Sequence, residues 1–128
     1  MEDRCQIVAG DFFGSVPRGG DAYLVKNVIH DWDDEHAIAI LANCRQAMPR
    51  HGRLLVLETI LPSKADGSPE TMGPVLVDLN MLVSTGGRER TAAEFGSLFE
   101  TAGFRLTGTS ALPPPAAYLN VIEGIPIW

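Results

Sequence analysis

Within residues 21–35, DAYLVKNVIHDWDDE, an apolar run ends in His30 and gives way at once to acidic residues. Imidazole takes up and releases a proton near neutral pH, so a histidine beside Asp31 at a strand end has the makings of a general base. Residues 22–29 are long enough for one buried strand, and their β-branched and aromatic content favours it. Asp33, Asp34 and Glu35 suit the start of a helix, where carboxylates complement the positive end of the dipole. His30 is therefore expected at the carboxyl end of a strand, where open α/β sheets place their binding crevices. The same pattern equally describes a histidine that merely finishes a strand and caps a turn, and local spacing leaves both readings open.

Two further carboxylates are read here from their surroundings only. Glu58 lies near the end of the otherwise apolar run 53–61, where a charge is costly unless it is paired or faces a cleft. Glu89 stands between Arg88 and Arg90 and, by itself, reads as a charge in a polar turn. A metal-dependent hydrolase using His30, Asp31, Asp33, Asp34 and His36 is disfavoured, because those ligands crowd along one turn and do not converge on a single ion.

The elements that must position these residues follow from periodicity. Residues 6–9 read as a short strand, followed by a turn at 16–20 holding Pro17 and two glycines. From 34 to 48 the apolar residues Ala37, Ile40, Leu41, Cys44, Ala47 and Met48 recur every three or four positions, which predicts an amphipathic helix with Asp33 as N-cap. Residues 53–61 form the next strand, 62–74 a loop, and 75–83 a dense apolar stretch best read as helix. Thr91-Ala92-Ala93-Glu94 is a capping-box pattern that opens a helix ending at Gly103. Residues 104–112 and 117–125 are the last strands. The proline turn between them is too short for a parallel crossover, so they must form an antiparallel hairpin. Strands alternating with amphipathic helices imply a mainly parallel sheet covered on both faces.

At 128 residues the chain has room for one domain and one core. Its 45% hydrophobic and 20% charged residues exclude a disordered chain. A net charge of −6 without a Lys/Arg cluster argues against nucleic acid as a partner. No apolar run matches a bilayer and the acidic start is unlike a signal peptide, so a cytoplasmic protein is expected. Cys5 and Cys44 have no CxxC spacing and read as buried, reduced thiols.

Taken together, GDFF-x2-VP, DAYLVKNVIHDWDDEHAIAILANCRQAMP, GRLLVLETILP, GGRERTAAEF and TAGF resemble, in order and spacing, the S-adenosylmethionine-dependent O-methyltransferases of the caffeic-acid and hydroxyneurosporene type. The resemblance runs from about residue 6 to 118. It implies methyl transfer to a hydroxyl of an aromatic or polyketide-like small molecule, with S-adenosylhomocysteine as product and no metal. It also implies residue roles. His30 matches the general base, and Glu58 and Glu89 match the acidic pair that brackets it. Asp11 and Phe12 match the pair meeting the adenosine, Lys26 a lysine contacting the cofactor, Trp32 a neighbour of that pocket, and Met81 an apolar residue lining the acceptor site.

The family's glycine-rich cofactor loop, its ribose-gripping acid and its N-terminal dimer-forming domain have no counterpart here. Residues 1–128 are therefore expected to be the C-terminal portion of the catalytic domain. The fold expected is α/β, a partial Rossmann-like class I methyltransferase sheet lacking its first two strands and closing on the antiparallel hairpin. The strand at 6–9 should then lose its neighbours, and the strand at 22–29 should become an exposed apolar edge. Such an edge invites self-association into a homo-oligomer such as a dimer, strand exchange, or a rearranged N-terminus. The isolated chain is expected to be weakly active or inactive. A non-catalytic oligomeric module is the alternative.

Overall fold

Asn27 ends the first strand earlier than its apolar run suggests. The structure, a computed structural model, describes residues 2–62, 72, 75, 76, 79 and 87–128. Strand β1 spans Ala22–Lys26, after which Asn27 adopts a left-handed φ of 54° that breaks the extended backbone. Asparagine is one of the few residues that enters this region readily. Ile29–Asp31 then form one 3-10 turn, so His30 lies beyond the strand and not at its last position.

Helix α1, Asp34–Ala47, follows with Asp33 as N-cap, its side chain accepting from the His36 N–H. Strand β2 covers Arg53–Glu58. The expected continuous strand at 53–61 is broken at Thr59, and Ile60–Leu61 form a separate strand, β3. Met72, Val75, Leu76 and Leu79 are helical, in agreement with the helix expected at 75–83 for the three of them within it. Arg90–Thr91 form β4, and α2 spans Ala92–Ala102 with the capping box of Thr91 and Glu94 complete. Gly103 closes α2 at φ 95°, a conformation that a side chain would strain. Strands β5, Phe104–Ala111, and β6, Asn120–Pro126, complete the chain.

The main sheet has the order β1-β2-β6-β5. β1 is parallel to β2, and β6 is antiparallel to both β2 and β5. Three strands thus run one way and β6 opposes them, as the short proline turn required. The residues at 6–9 form no strand, and Ile7 is 95% exposed. β1 is an edge strand with Leu24 largely exposed.

One core holds the elements together. Ile40, Leu41 and Cys44 of α1 and Phe95 and Phe99 of α2 pack with Leu54, Val56, Phe104 and Ile122 of the sheet. Both helices therefore lie on one sheet face. The expected cover on both faces is not seen among the described residues, because Leu55, Leu57, Val121 and Ile125, which alternate with the core positions, stay half-exposed. Cys44 is buried, whereas Cys5 is exposed, contrary to the reading of both thiols as buried.

Candidate active site

Three separated segments converge on His30. The turn after Asn27 presents its ring, with the Asp31 and Trp32 N–H groups bonded back to Val28 and Ile29. Glu58 is the last residue of β2, on the face turned toward the helices. The two-residue pairing of β3 with β4, Ile60 opposite Arg90 and Leu61 opposite Thr91, carries Glu89 to the same place. Gly87 runs so close beneath the turn that a Cβ there would lie 1.9 Å from the His30 carbonyl oxygen, leaving room only for glycine. The next residue seals the approach, its Arg88 N–H donating to the His30 carbonyl at 2.8 Å.

Both carboxylates act on one ring nitrogen. His30 Nδ1 is 2.6 Å from Glu89 Oε1 and 3.2 Å from Glu58 Oε2. Glu58 Oε1 also accepts from the His30 backbone N–H at 3.3 Å, so it holds ring and main chain together. Nε2, the other nitrogen, lies 3.6 Å from Asp31 Oδ1. The Glu58 and Glu89 side chains are fully buried, while that of His30 retains 15% exposure.

Burial and charge set the protonation. The hydrogen bond to Glu89 raises the His30 pKa above its ordinary value of 6.5, helped by the charges of Glu58, Glu89 and Asp31 and opposed by desolvation. Desolvation pushes the Glu58 carboxyl up to about 7, against the pull of His30. A carboxylate accepting from Nδ1–H selects the tautomer in which Nε2 carries the free lone pair. The arrangement can therefore accept a proton at Nε2 and stabilise the resulting imidazolium.

His30, Glu58 and Glu89 also bring one donor atom each within 4.8 Å of one another. The acidic run nearby does not converge in that way. Asp33 Oδ1 is engaged by the backbone and ring of His36, and Asp34 Oδ1 by Arg90.

The residues matched to the cofactor lie to one side. Asp11 Oδ1 accepts from the Phe13 N–H at 3.0 Å, tightening the turn that exposes Phe12. Phe12, Phe13, Trp32 and His36 form an edge-to-face and stacked aromatic cluster, with Phe12 and Trp32 centroids 6.4 Å apart. Lys26 is exposed, and it lines with Phe12, Val16 and Tyr23 an open, mostly apolar cavity of about 230 Å³. Trp32 is not part of that lining. Met81 lies outside the described residues.

Sequence reading overlooked Arg90, whose guanidinium is buried at 1% exposure. Its position beside Glu89 looked like one more charge in a polar turn, and no local pattern distinguishes a buried arginine from an exposed one.

Residues 1–105 match the family model described as the O-methyltransferase domain. The chain belongs to that family. It is 48% identical over 125 residues to the phenazine O-methyltransferase PhzM of Lysobacter antibioticus, covering 98% of this chain and 35% of that protein. The crystal structure of LaPhzM superposes with a TM-score of 0.86 at 46% identity, over 98% of this chain and 36% of that one. NcsB1, an O-methyltransferase of neocarzinostatin biosynthesis solved with S-adenosylmethionine and 2-hydroxy-5-methyl naphthoic acid, superposes at 0.82 with 33% identity, over 98% and 34% of the two chains. The chain thus spans about a third of the length of the O-methyltransferases it matches, in their C-terminal part. No helix among the described residues is long and apolar enough to cross a membrane.

Proposed function

We propose that residues 1–128 are the C-terminal portion of an S-adenosylmethionine-dependent O-methyltransferase catalytic domain, in which His30 deprotonates a hydroxyl of an aromatic or polyketide-like small molecule. The observation that carries this reading is the pair of buried carboxylates on His30 Nδ1, at 2.6 and 3.2 Å. A phenol has a pKa of about 10, so its proton needs a base as the new C–O bond forms, and Nε2 is the atom available. Glu89 accepts a charge-assisted hydrogen bond from Nδ1–H, which fixes the tautomer and steadies the imidazolium. Glu58 keeps the turn and ring in register.

When bound, the cofactor would supply a methyl group on a sulfonium sulfur, the O–CH3 bond forming as the S–CH3 bond breaks and the sulfur leaves as a neutral thioether. This chain's residues fit part of it. Phe12 offers an exposed aromatic face for an adenine, and Lys26 shares its cavity. Asp11 and Trp32 flank that place, and Met81 is assigned to the acceptor side. A cytoplasmic location is in keeping with two free cysteines.

Calorimetric titration with S-adenosylhomocysteine tests the reading, repeated on Asp11→Ala and His30→Ala. Binding abolished by the first and spared by the second is expected; no binding at millimolar ligand removes the cofactor role. One observation favours a second reading, an oligomeric interaction module: β1 is an edge strand, with Leu24 exposed on it. Homo-oligomers through this edge should appear in sedimentation, and a strict monomer at high concentration excludes them.

A further inference from the structure

Arg90 is among the largest fully buried side chains of the protein, and its hydrogen bonds go to the turn that carries His30, to the start of α1 and to the carbonyl of Arg88. Nη1 donates to the Ile29 carbonyl at 3.1 Å and the Arg88 carbonyl at 3.4 Å. Nη2 donates to the Trp32 carbonyl at 2.9 Å and to Asp34 Oδ1 at 2.9 Å, and Nε donates to the same Asp34 oxygen at 3.1 Å. A guanidinium has five N–H donors in a fixed planar fork, and these are five bonds. Ile29 immediately precedes His30 and Trp32 follows it by two residues, so the fork grips the 3-10 turn on both sides of the ring. Asp34 ties the same fork to the first turn of α1. Along its own chain Arg90 is joined to Glu89, the acceptor for Nδ1, and as part of β4 it sits in register with Ile60, two residues beyond Glu58.

We propose that Arg90 is a positioning residue for His30, holding the imidazole and the Glu89 carboxylate in mutual register through the backbone carbonyls of Ile29, Trp32 and Arg88. None of its hydrogen bonds goes to the ring itself. The inference rests on the reading of His30 as the base, and it deepens that reading by naming what sets the base's geometry. Lysine cannot take over this role: its ammonium offers three donors from one point on a flexible stem and cannot span carbonyls on both sides of the turn.

The test is the ring titration and tautomer of His30, followed by ¹⁵N NMR of the imidazole nitrogens in the 128-residue chain, in wild type and Arg90→Lys. The charge is retained in this variant, so the direct field at His30, which Glu58, Glu89 and Asp31 also face, is nearly preserved. Loss of charge alone would move the titration upward. Loosening the Glu89 hydrogen bond must move it to lower pH and dilute the Nδ1–H tautomer, and that is the expected result. Asp34→Asn, at a side chain 59% exposed, weakens the same fork with little burden on folding and should move the titration the same way by a smaller amount. If Arg90→Lys does not fold, the Nδ1–H tautomer population of His30 in Asp34→Asn decides, because loss of the Asp34 charge by itself also moves the titration to lower pH. A titration and tautomer that coincide with wild type in the folded variant overturn the proposal. Wherever methyl transfer is measurable, kcat for Arg90→Lys should fall at least tenfold with the acceptor KM near wild type. Absence of methyl transfer or cofactor binding in wild type counts against the methyltransferase reading alone, because the ring titration does not depend on either.

Discussion

Replacing Glu58 by glutamine should make the protein more stable at neutral and alkaline pH while leaving it unchanged in acid. Glu58 ordinarily ionises near 4.5, and burial pushes it up to about 7 in the fold. At about 1.4 kcal/mol per pH unit, that displacement is worth about 3 kcal/mol against the folded state once the carboxylate is charged in both states. The sign follows from proton uptake. Between pH 4.5 and 7 the folded chain binds more protons at Glu58 than the unfolded chain, so stability falls as pH rises through that window. The glutamine of the variant has no proton to exchange. Its carbonyl can still accept from the His30 backbone N–H, and its amide can donate to the neighbouring Glu89 carboxylate. The stability difference between variant and wild type should therefore be near zero at pH 4 and climb to about 3 kcal/mol above pH 7, roughly 10 °C in Tm. The raised pKa of His30 contributes in the same direction, its stabilisation present below 6.5 and lost as pH rises through the folded value. That contribution is largely common to both proteins, because its principal cause, the Glu89 hydrogen bond, is untouched. Urea unfolding at half-unit intervals from about pH 4 to 8.5 measures the difference. A gap that stays flat within about 0.5 kcal/mol over that range would refute the argument that burial penalises the Glu58 carboxylate.

Two further outcomes are expected. Glu89→Gln removes the largest cause of the raised His30 pKa, so the rising limb of the rate–pH profile should move to lower pH. Its plateau should drop at least tenfold, because the imidazolium loses its charged partner; an unmoved limb would show that Glu89 does not govern the base. Gly87→Ala sets a methyl group 1.9 Å from the His30 carbonyl oxygen and 2.5 Å from the Asp31 carbonyl carbon, both backbone atoms. It should lower stability by about 2 kcal/mol or more in denaturant unfolding, and wild-type stability would show that Gly87 does not lie against the turn.

Much of the architecture was legible in residue order alone. The three- and four-residue spacing of Ala37, Ile40, Leu41 and Cys44 places α1, and Asp33 caps it as its side chain and position require. Thr91 with Glu94 and then Gly103 mark both ends of α2. The proline turn forces β5 and β6 into an antiparallel hairpin. These features depend on contacts within a few residues, so sequence specifies them directly. The family was also legible, because its motifs keep their order and spacing over most of the chain.

Other features were decided only by tertiary contacts. Residues 6–9 have the composition of a strand and form none, since a strand needs a partner. The run at 22–29 looks uniform, yet the left-handed Asn27 cuts it and leaves His30 outside the strand. Arg90 was the least readable, and Glu89 was legible through the resemblance alone, because a charge in a polar turn and a buried charge share the same local sequence. What distinguishes them is the pairing of Ile60 with Arg90 across a separation of 30 residues, which carries Glu89 to a histidine 59 positions away. The sequence by itself determined the helices, their caps, the terminal hairpin and the residue able to carry a proton. The resemblance named Glu58 and Glu89 beside that residue, whereas the fold alone decided their distances and burial and brought in Arg90, because burial and long-range pairing are properties of the packed chain and not of any segment within it.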